Sequence, residues 1–300
     1  MTDSSRSIPF KHRSHGRYWW FQSRTHDYVP ALFALLTDEE WDVIDQWYTE
    51  TDSRHSAGEA NVPSLSFLMG MIEGNGISNI VQLGHFEGFS TLLLGFMMRR
   101  MGFRKSIFSV DISPEFSRTC EYWVAEAGLS EYVSINVMSS DTPGLPAVAR
   151  DYFKSDIACV FIDSSHQYQH TVNELNLWFP ALKPFGLIFL HDCSTVASGF
   201  DVTRNGGVIR AVKEWSNRSD ASHILLNEDV VGGDNPTQPH DLVYQDGCGL
   251  GIIQKRPASG TPADFDPERY LALNPDVAAA GADPAAHWKQ YGYRENRGWK

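Results

Sequence analysis

Side chains able to do chemistry recur at one kind of place in this chain, directly after short apolar runs. Asp111 follows Ser106–Val110, Asp163 follows Ile157–Ile162, and the pair His191-Asp192 follows Leu187–Leu190. Ser139-Ser140-Asp141 follows Val133–Val137, and Gly84-His85 follows Ile80–Leu83. Carboxylates at Asp163 and Asp192 suit a divalent cation such as Mg²⁺, which takes oxygen ligands. His191 beside them would draw the preference toward a softer ion. A free imidazole titrates near about 6.5, so His166 and His191 are also candidate general bases. Asp163, His166 and His191 are therefore the candidate catalytic residues, and Asp163, His191 and Asp192 the candidate metal ligands.

These residues need a scaffold that brings run ends together. The run Ile80-Val81-Gln82-Leu83 reads as a buried strand. It breaks at Gly84 and Gly88 and re-enters a helix-length apolar segment, Leu92–Met101. Strand, glycine turn and helix is a unit that cradles nucleotide-like ligands, with free N–H groups at the helix start. Further strands at 106–110, 133–137, 157–162 and 187–190 alternate with helices at 114–127, 145–153 and 168–182. A helix at 206–217 and two strands at 223–226 and 249–254 follow. This alternation predicts an α/β protein with a doubly wound, mostly parallel seven-stranded sheet. Ligands of such sheets sit beyond the carboxyl ends of the strands, where the residues above fall.

Upstream, helical spacing over 28–50 has an N-cap signature at Thr37-Asp38-Glu39-Glu40. Residues 1–26 are polar, basic and aromatic, with Arg17-Tyr18-Trp19-Trp20-Phe21, and read as an arm that packs on the core or on a partner subunit. Downstream, 257–263 reads as a linker, and the tail splits into Phe265–Leu271 and Pro284–Tyr291, a helical hairpin. The expected organisation is an N-terminal arm and helical extension over 1–61, a ligand-binding domain over 62–256, a linker over 257–264 and a small helical appendage over 265–300.

Composition removes several classes. The 300 residues carry 37 acidic and 25 basic side chains, a formal net charge of −12, which argues against a nucleic-acid partner. No run approaches the roughly 18 apolar residues of a membrane span, and the N-terminus lacks a signal-peptide pattern. Cys120, Cys159, Cys193 and Cys248 form no CxxC pair, so a reducing, cytoplasmic setting is expected. Homo-oligomerisation is left open.

The glycine spacing identifies the ligand class by exclusion and then by likeness. A dinucleotide fingerprint needs G-x-G-x-x-G, and Gly84-x-x-x-Gly88 fails it. The run instead resembles motif I of the class I S-adenosylmethionine-dependent methyltransferases. Asp111 matches that family's ribose-binding acid, Ser140 and Asp141 its adenine loop, and Asp163 its active-site acid. The segments Phe161–Tyr168, Leu182–Ile188 and His191-Asp192 look like the small-molecule and sugar O-methyltransferases, near the catechol O-methyltransferase-like and macrolide-sugar enzymes. The resemblance covers about 60–256. It implies S-adenosylmethionine as cofactor, held by Gln82, Gly84, His85, Gly88, Ser90, Asp111, Ser140, Asp141 and Asp163. Gln82 departs from the pattern, standing where the family often has an acid. Glu59 falls in a region that closes over the cofactor in that family. The tail resembles a helical module appended to bacterial glycan-associated proteins.

Methyl transfer to a hydroxyl needs orientation, and a base or a cation to remove the proton. The expected activity is therefore O-methylation of a sugar, glycan or similar polar small molecule, with Asp201, Arg204 and Asn205 as candidate substrate contacts. A non-catalytic scaffold of this fold in a glycan-synthesis assembly is the competing class. A phenolic or amine acceptor is a third reading.

Overall fold

The structure is a computed structural model, and it describes residues 29–56, 58–218, 220–230, 243–256, 265–292, 295 and 297–299. The aromatic arm, with His12, His15 and His26, and the linker at 257–264 lie outside the described residues.

Seven strands form one sheet: β1 (Ile80–Leu83), β2 (Ile107–Asp111), β3 (Val133–Val137), β4 (Ile157–Ile162), β5 (Leu182–His191), β6 (Ala221–Leu226) and β7 (Leu250–Lys255). Their order is β3-β2-β1-β4-β5-β7-β6. The first five are parallel, while β7 runs antiparallel to β5 and to β6. The order reverses at β1 and β4, so the crevice at this switch point opens beyond Leu83 and Ile162. β4 is buried at every position, as a mid-sheet strand covered on both faces must be.

Side-chain alternation along the strands feeds two separate cores. Ile80, Ile107, Cys159 and Phe161 point into one, and Val81, Leu83, Phe108, Val160 and Ile162 into the other. The first core is closed by α2 (Asp38–Ser53), α3 (Val62–Asn75), α4 (Phe89–Met101) and α5 (Pro114–Glu126), with the short α1 (Ala31–Ala34) packed beside them. The second is closed by α6 (Leu145–Phe153), α7 (Tyr168–Ala181) and α8 (Gly207–Trp215). The stretch Lys183–Gly186, between the helix expected at 168–182 and the strand expected at 187–190, lies within β5. It leaves the ladder there: Ile157 pairs with Leu182 but Cys159 pairs with Leu187, and Phe185 turns left-handed at φ +63°.

The N-cap expected at Thr37 is present as a capping box. The Thr37 side chain accepts from the Glu40 amide at 3.3 Å, and Glu40 accepts from the Thr37 amide at 3.0 Å. α2 buries Trp41, Ile44, Trp47 and Tyr48, and Trp47 and Tyr48 pack on Phe89 at the start of α4 with ring centroids 5.2 and 5.3 Å apart. The extension therefore shares its core with the glycine-turn helix. The tail folds as α9 (Pro267–Leu273), α10 (Pro275–Ala279) and α11 (Pro284–His287), the last running into a π-helical turn over Trp288–Gly292. These segments gather around Tyr270, Val277 and Trp288 in an apolar cluster of their own.

Candidate active site

The glycine turn is shaped by close approaches. Gly84 has φ +88°, and a Cβ there would meet the Asp163 carbonyl oxygen at 1.9 Å. Only glycine lets β1 and β4 end side by side. Gly88, at φ +101°, packs against Cys120 of α5. Between them, Asp111 holds the turn. Its Oδ2 accepts from the amides of His85 and Phe86 at 3.2 and 3.0 Å, and its Oδ1 from the amide of Ser113 at 2.9 Å. Glu87 points the other way, buried, and takes Arg54 and, at 2.5 Å, the Ser56 hydroxyl from the end of α2. Trp47 Nε1 donates to the Glu87 carbonyl at 2.8 Å.

A cavity of about 610 Å³ opens at these strand ends. One end is walled by Phe86, Val110, Ile112 and Phe116, with the Phe86 and Phe116 rings edge-on at 4.5 Å. Asp111, Ser139 and Ser140 lie along it, and Asp163, Ser164, Ser165, His166 and Gln167 form the polar end. Gly58 of the segment before α3 also touches this cavity, and Glu59 lines a small recess beside Gly84, His85, Ser90 and Asp163. Phe86, His166 and Asp192 each sit in the left-handed region, at φ +46°, +58° and +59°. Non-glycine residues held there concentrate at functional sites, and these three follow β1, β4 and β5.

Behind the polar end lies an imidazole–carboxylate cluster. His166 Nε2 is 3.0 Å from Asp192 Oδ2 and 3.8 Å from Asp163 Oδ1. His191 Nδ1 is 3.4 Å from Asp163 Oδ1 and 3.2 Å from Asp192 Oδ2, and its Nε2 is 3.2 Å from Asp246 Oδ2. Burial opposes a charge on His166, but hydrogen bonds to Asp163 and Asp192 outweigh it and raise its pKa to about 10. Burial likewise opposes charge on His191, and Asp192, Asp246 and Asp163 together hold its proton well above the usual histidine range. Asp163 and Asp192 are disfavoured as anions by burial, yet the facing imidazoles keep both below the ordinary carboxylate range. Only Asp163 and His166 of this set line the cavity; His191 and Asp192 are buried behind them.

One oxygen or nitrogen from each of Asp163, His191 and Asp192 lies within 4.8 Å of the other two. Two carboxylates and an imidazole fit a divalent ion, and His191 offers Nδ1 to the carboxylates with Nε2 engaged by Asp246, the arrangement a ligating histidine commonly shows.

Other expected contacts are placed differently. Gln82 is fully buried and does not line the cavity. Its Nε2 donates to Ser90 Oγ at 2.7 Å, and its Oε1 accepts from Thr91 at 2.9 Å and Ser109 at 3.3 Å. It joins β1, β2 and the start of α4, and Ser90 serves the same joint. His85 is enclosed between Ser109 Oγ and Ser117 Oγ at 2.9 and 2.8 Å. Burial lowers its pKa to about 4, against a smaller opposing pull from Asp111. Asp141 accepts from Ser139 at 2.6 Å and from Asn173 at 3.1 Å, and these bonds hold it ionised. Asp201 is buried rather than facing a substrate. It accepts from the amides of Gly207, Thr203 and Asn205, ordering the loop before α8, while Arg204 and Asn205 stay on the surface. His287 bonds Tyr270 within the tail at 2.9 Å.

Several residues emerge only from the fold. His170 lines the cavity, and Glu174, one turn along α7, is fully buried. Glu174 Oε1 accepts from Ser140 at 2.5 Å and Ser164 at 2.7 Å, bridging the loops after β3 and β4. Their i,i+4 spacing on a helix was a visible signal. Asp246 had none, since it sits in an aperiodic loop.

The enclosed, neutral His85 yields a pH prediction. Its folded pKa lies below the unfolded value, so the unfolded chain binds the extra proton. That contribution to stability is complete above pH 6.5 and is lost as pH falls toward 4. From pH 7 to 5 the wild type should lose about 2 kcal/mol more than His85→Gln. Urea titrations of both proteins at the two pH values check this, and equal pH dependence would contradict it.

Comparisons with known proteins agree with this geometry. Residues 81–193 match a family profile described as a methyltransferase domain. An O-methyltransferase from Bacillus cereus, solved with S-adenosylhomocysteine, is 16% identical with a TM-score of 0.54, covering 74% of this chain and 93% of its own. The O-methyltransferase TomG from Streptomyces achromogenes, involved in tomaymycin synthesis and solved with S-adenosylmethionine, is 15% identical with a TM-score of 0.52, covering 83% and 100%. The fold is that of these methyltransferases. A putative caffeoyl-CoA O-methyltransferase from Staphylococcus aureus has the same fold, at 14% identity, a TM-score of 0.55 and coverage of 80% and 99%. A comparison with curated proteins finds no match. The central domain thus has the seven-stranded, helix-flanked architecture expected from its alternating strands and helices. Among the described residues no helix is long and apolar enough to cross a membrane.

Proposed function

We propose that the chain is an S-adenosylmethionine-dependent O-methyltransferase acting on a hydroxyl of a sugar, a glycan or a similar polar small molecule. The observation that carries this is the single cavity joining the Asp111-anchored glycine turn to Asp163 and His166. The apolar wall of Phe86, Ile112 and Phe116 suits the nucleoside of the cofactor, and the polar end suits an acceptor hydroxyl. Methyl transfer is an in-line displacement at the sulfonium methyl, and holding the partners in line contributes about 7–11 kcal/mol. His166 is the imidazole that an acceptor in the cavity can reach; Asp163 and Asp192 keep it protonated, so it donates a hydrogen bond to the acceptor oxygen while the Asp163 carboxylate takes the hydroxyl proton. Asp163 faces the same space and holds both imidazoles.

Asp163, His191 and Asp192 would hold a divalent cation, which when bound makes a coordinated hydroxyl more acidic. The chain's own part is to orient these donors and to exclude water from behind them. A phenolic acceptor is the second reading, favoured by the exposed Phe200 ring centred 5.9 Å from that of His166.

Calorimetry with S-adenosylmethionine and S-adenosylhomocysteine should show binding of both, and no heat at millimolar ligand would end the proposal. Turnover measured over a library of sugars and phenols, with and without EDTA, then tests the acceptor class and the cation. Cofactor binding with transfer to no acceptor would favour a scaffold instead.

A further inference from the structure

Asp246 lies in the loop before β7, far in sequence from every strand end expected to carry chemistry, and it is fully buried. It is held on all sides. Asn227 at the end of β6 donates to its carbonyl at 2.7 Å, and its own amide donates to the Tyr244 carbonyl at 2.9 Å. Its Oδ1 accepts from Asn61 Nδ2 at 2.9 Å and from the Cys248 amide at 3.0 Å. Its Oδ2 faces His191 Nε2 at 3.2 Å and the Tyr244 hydroxyl at 3.4 Å. A carboxylate accepts and does not donate, so the proton shared with His191 must reside on Nε2. The other ring nitrogen then faces Asp163 and Asp192 at 3.4 and 3.2 Å.

We infer that Asp246 is a positioning residue for the reacting end of the cavity: it accepts the Nε2–H of His191 and thereby turns Nδ1 toward Asp163 and Asp192. It acts through His191 and does not line the cavity. Through Asn61 the same carboxylate fixes the segment before α3, whose Gly58 lines the cavity and whose Glu59 lines the adjoining recess. The inference rests on the reading of Asp163 and His191 as the reacting end, but its structural half can be tested without turnover.

The test is ¹⁵N spectroscopy of the histidine rings in protein labelled at histidine, with His191 assigned by the signals lost in His191→Gln. In the wild type, His191 Nε2 should show the shift of a protonated nitrogen. Asp246→Asn should change the ring signals of His191 and lower kcat by about 10–100-fold, the usual effect of removing an orienting partner, with KM for S-adenosylmethionine unchanged. Asn61→Ala removes the neighbouring bond but leaves His191 its acceptor, so it should leave those ring signals in place. An unprotonated Nε2 in the wild type overturns the inference, as does an Asp246→Asn protein whose ring signals match the wild type. If Asp246→Asn does not fold, Asp246→Glu takes its place: a displaced acceptor should shift the His191 ring signals, and signals matching the wild type overturn the inference. Ring signals as expected in a protein that transfers no methyl group would leave the geometry standing and sink the enzymatic reading.

Discussion

Asp163→Asn should lower kcat by about 10²–10⁴-fold, the range a positioned proton-transfer system contributes. The reasons are local. Asp163 faces the cavity, its Oδ1 lies within 4 Å of both His166 and His191, and it is one of three donors grouped around one point. Asparagine keeps the volume but removes the charge that both imidazoles face. The apolar wall proposed to hold the cofactor's nucleoside lies at the other end of the cavity, so cofactor affinity should change little. Single-turnover kinetics alongside calorimetry separates the two. Full turnover in Asp163→Asn would remove this residue from the chemistry.

The second large effect is expected at Gly84→Ala. A left-handed backbone costs a residue with a Cβ about 1–2 kcal/mol, and forcing a methyl into a packed site costs about 1–3 kcal/mol more. Here the obstacle is the Asp163 carbonyl, which the β1–β4 pairing holds in place: Asp163 N donates to the Leu83 carbonyl at 2.8 Å. Destabilisation of about 2–5 kcal/mol is expected, with a fall in melting temperature of roughly 5–15 °C for a domain of this size. The displaced carbonyl belongs to the proposed catalytic residue, so surviving protein should also turn over slowly. Calorimetric melting and activity at low temperature check both parts. Gly144→Ala is the control: it shares the positive φ, but its Cβ would meet nothing within 4 Å.

The strand ends were legible because burial on both faces makes parallel strands apolar runs, and function then shows as a polar residue where the run stops. That logic placed Asp111, Asp163 and His191-Asp192 around one crevice. It could not say which side of a strand end a residue faces. Gln82 and Asp111 both belong to neighbouring parallel strands, yet Gln82 turns into the joint with Ser90 and Thr91 while Asp111 turns to the turn and cavity. His85 and Asp201 were misleading for a related reason. Each is polar and lies in a loop of the right face, but each is enclosed by partners that sequence separation hides, Ser109 and Ser117 for one and the start of α8 for the other. Asp246 was invisible because its position depends on the return of β7 beside β5, an antiparallel pairing that no local pattern announces.

Glu87 has a consequence for how this chain can vary. It sits inside the glycine turn, buried, and among the described residues its charge is answered from the far side of the extension, by Arg54 and Ser56 at the end of α2. Losing Arg54 alone strands a carboxylate in the interior, which is far costlier than losing both partners. Substitutions at 54 and 87 should therefore be tolerated in company and purged singly, so that among descendants of this chain the two positions drift as a pair although 33 residues separate them.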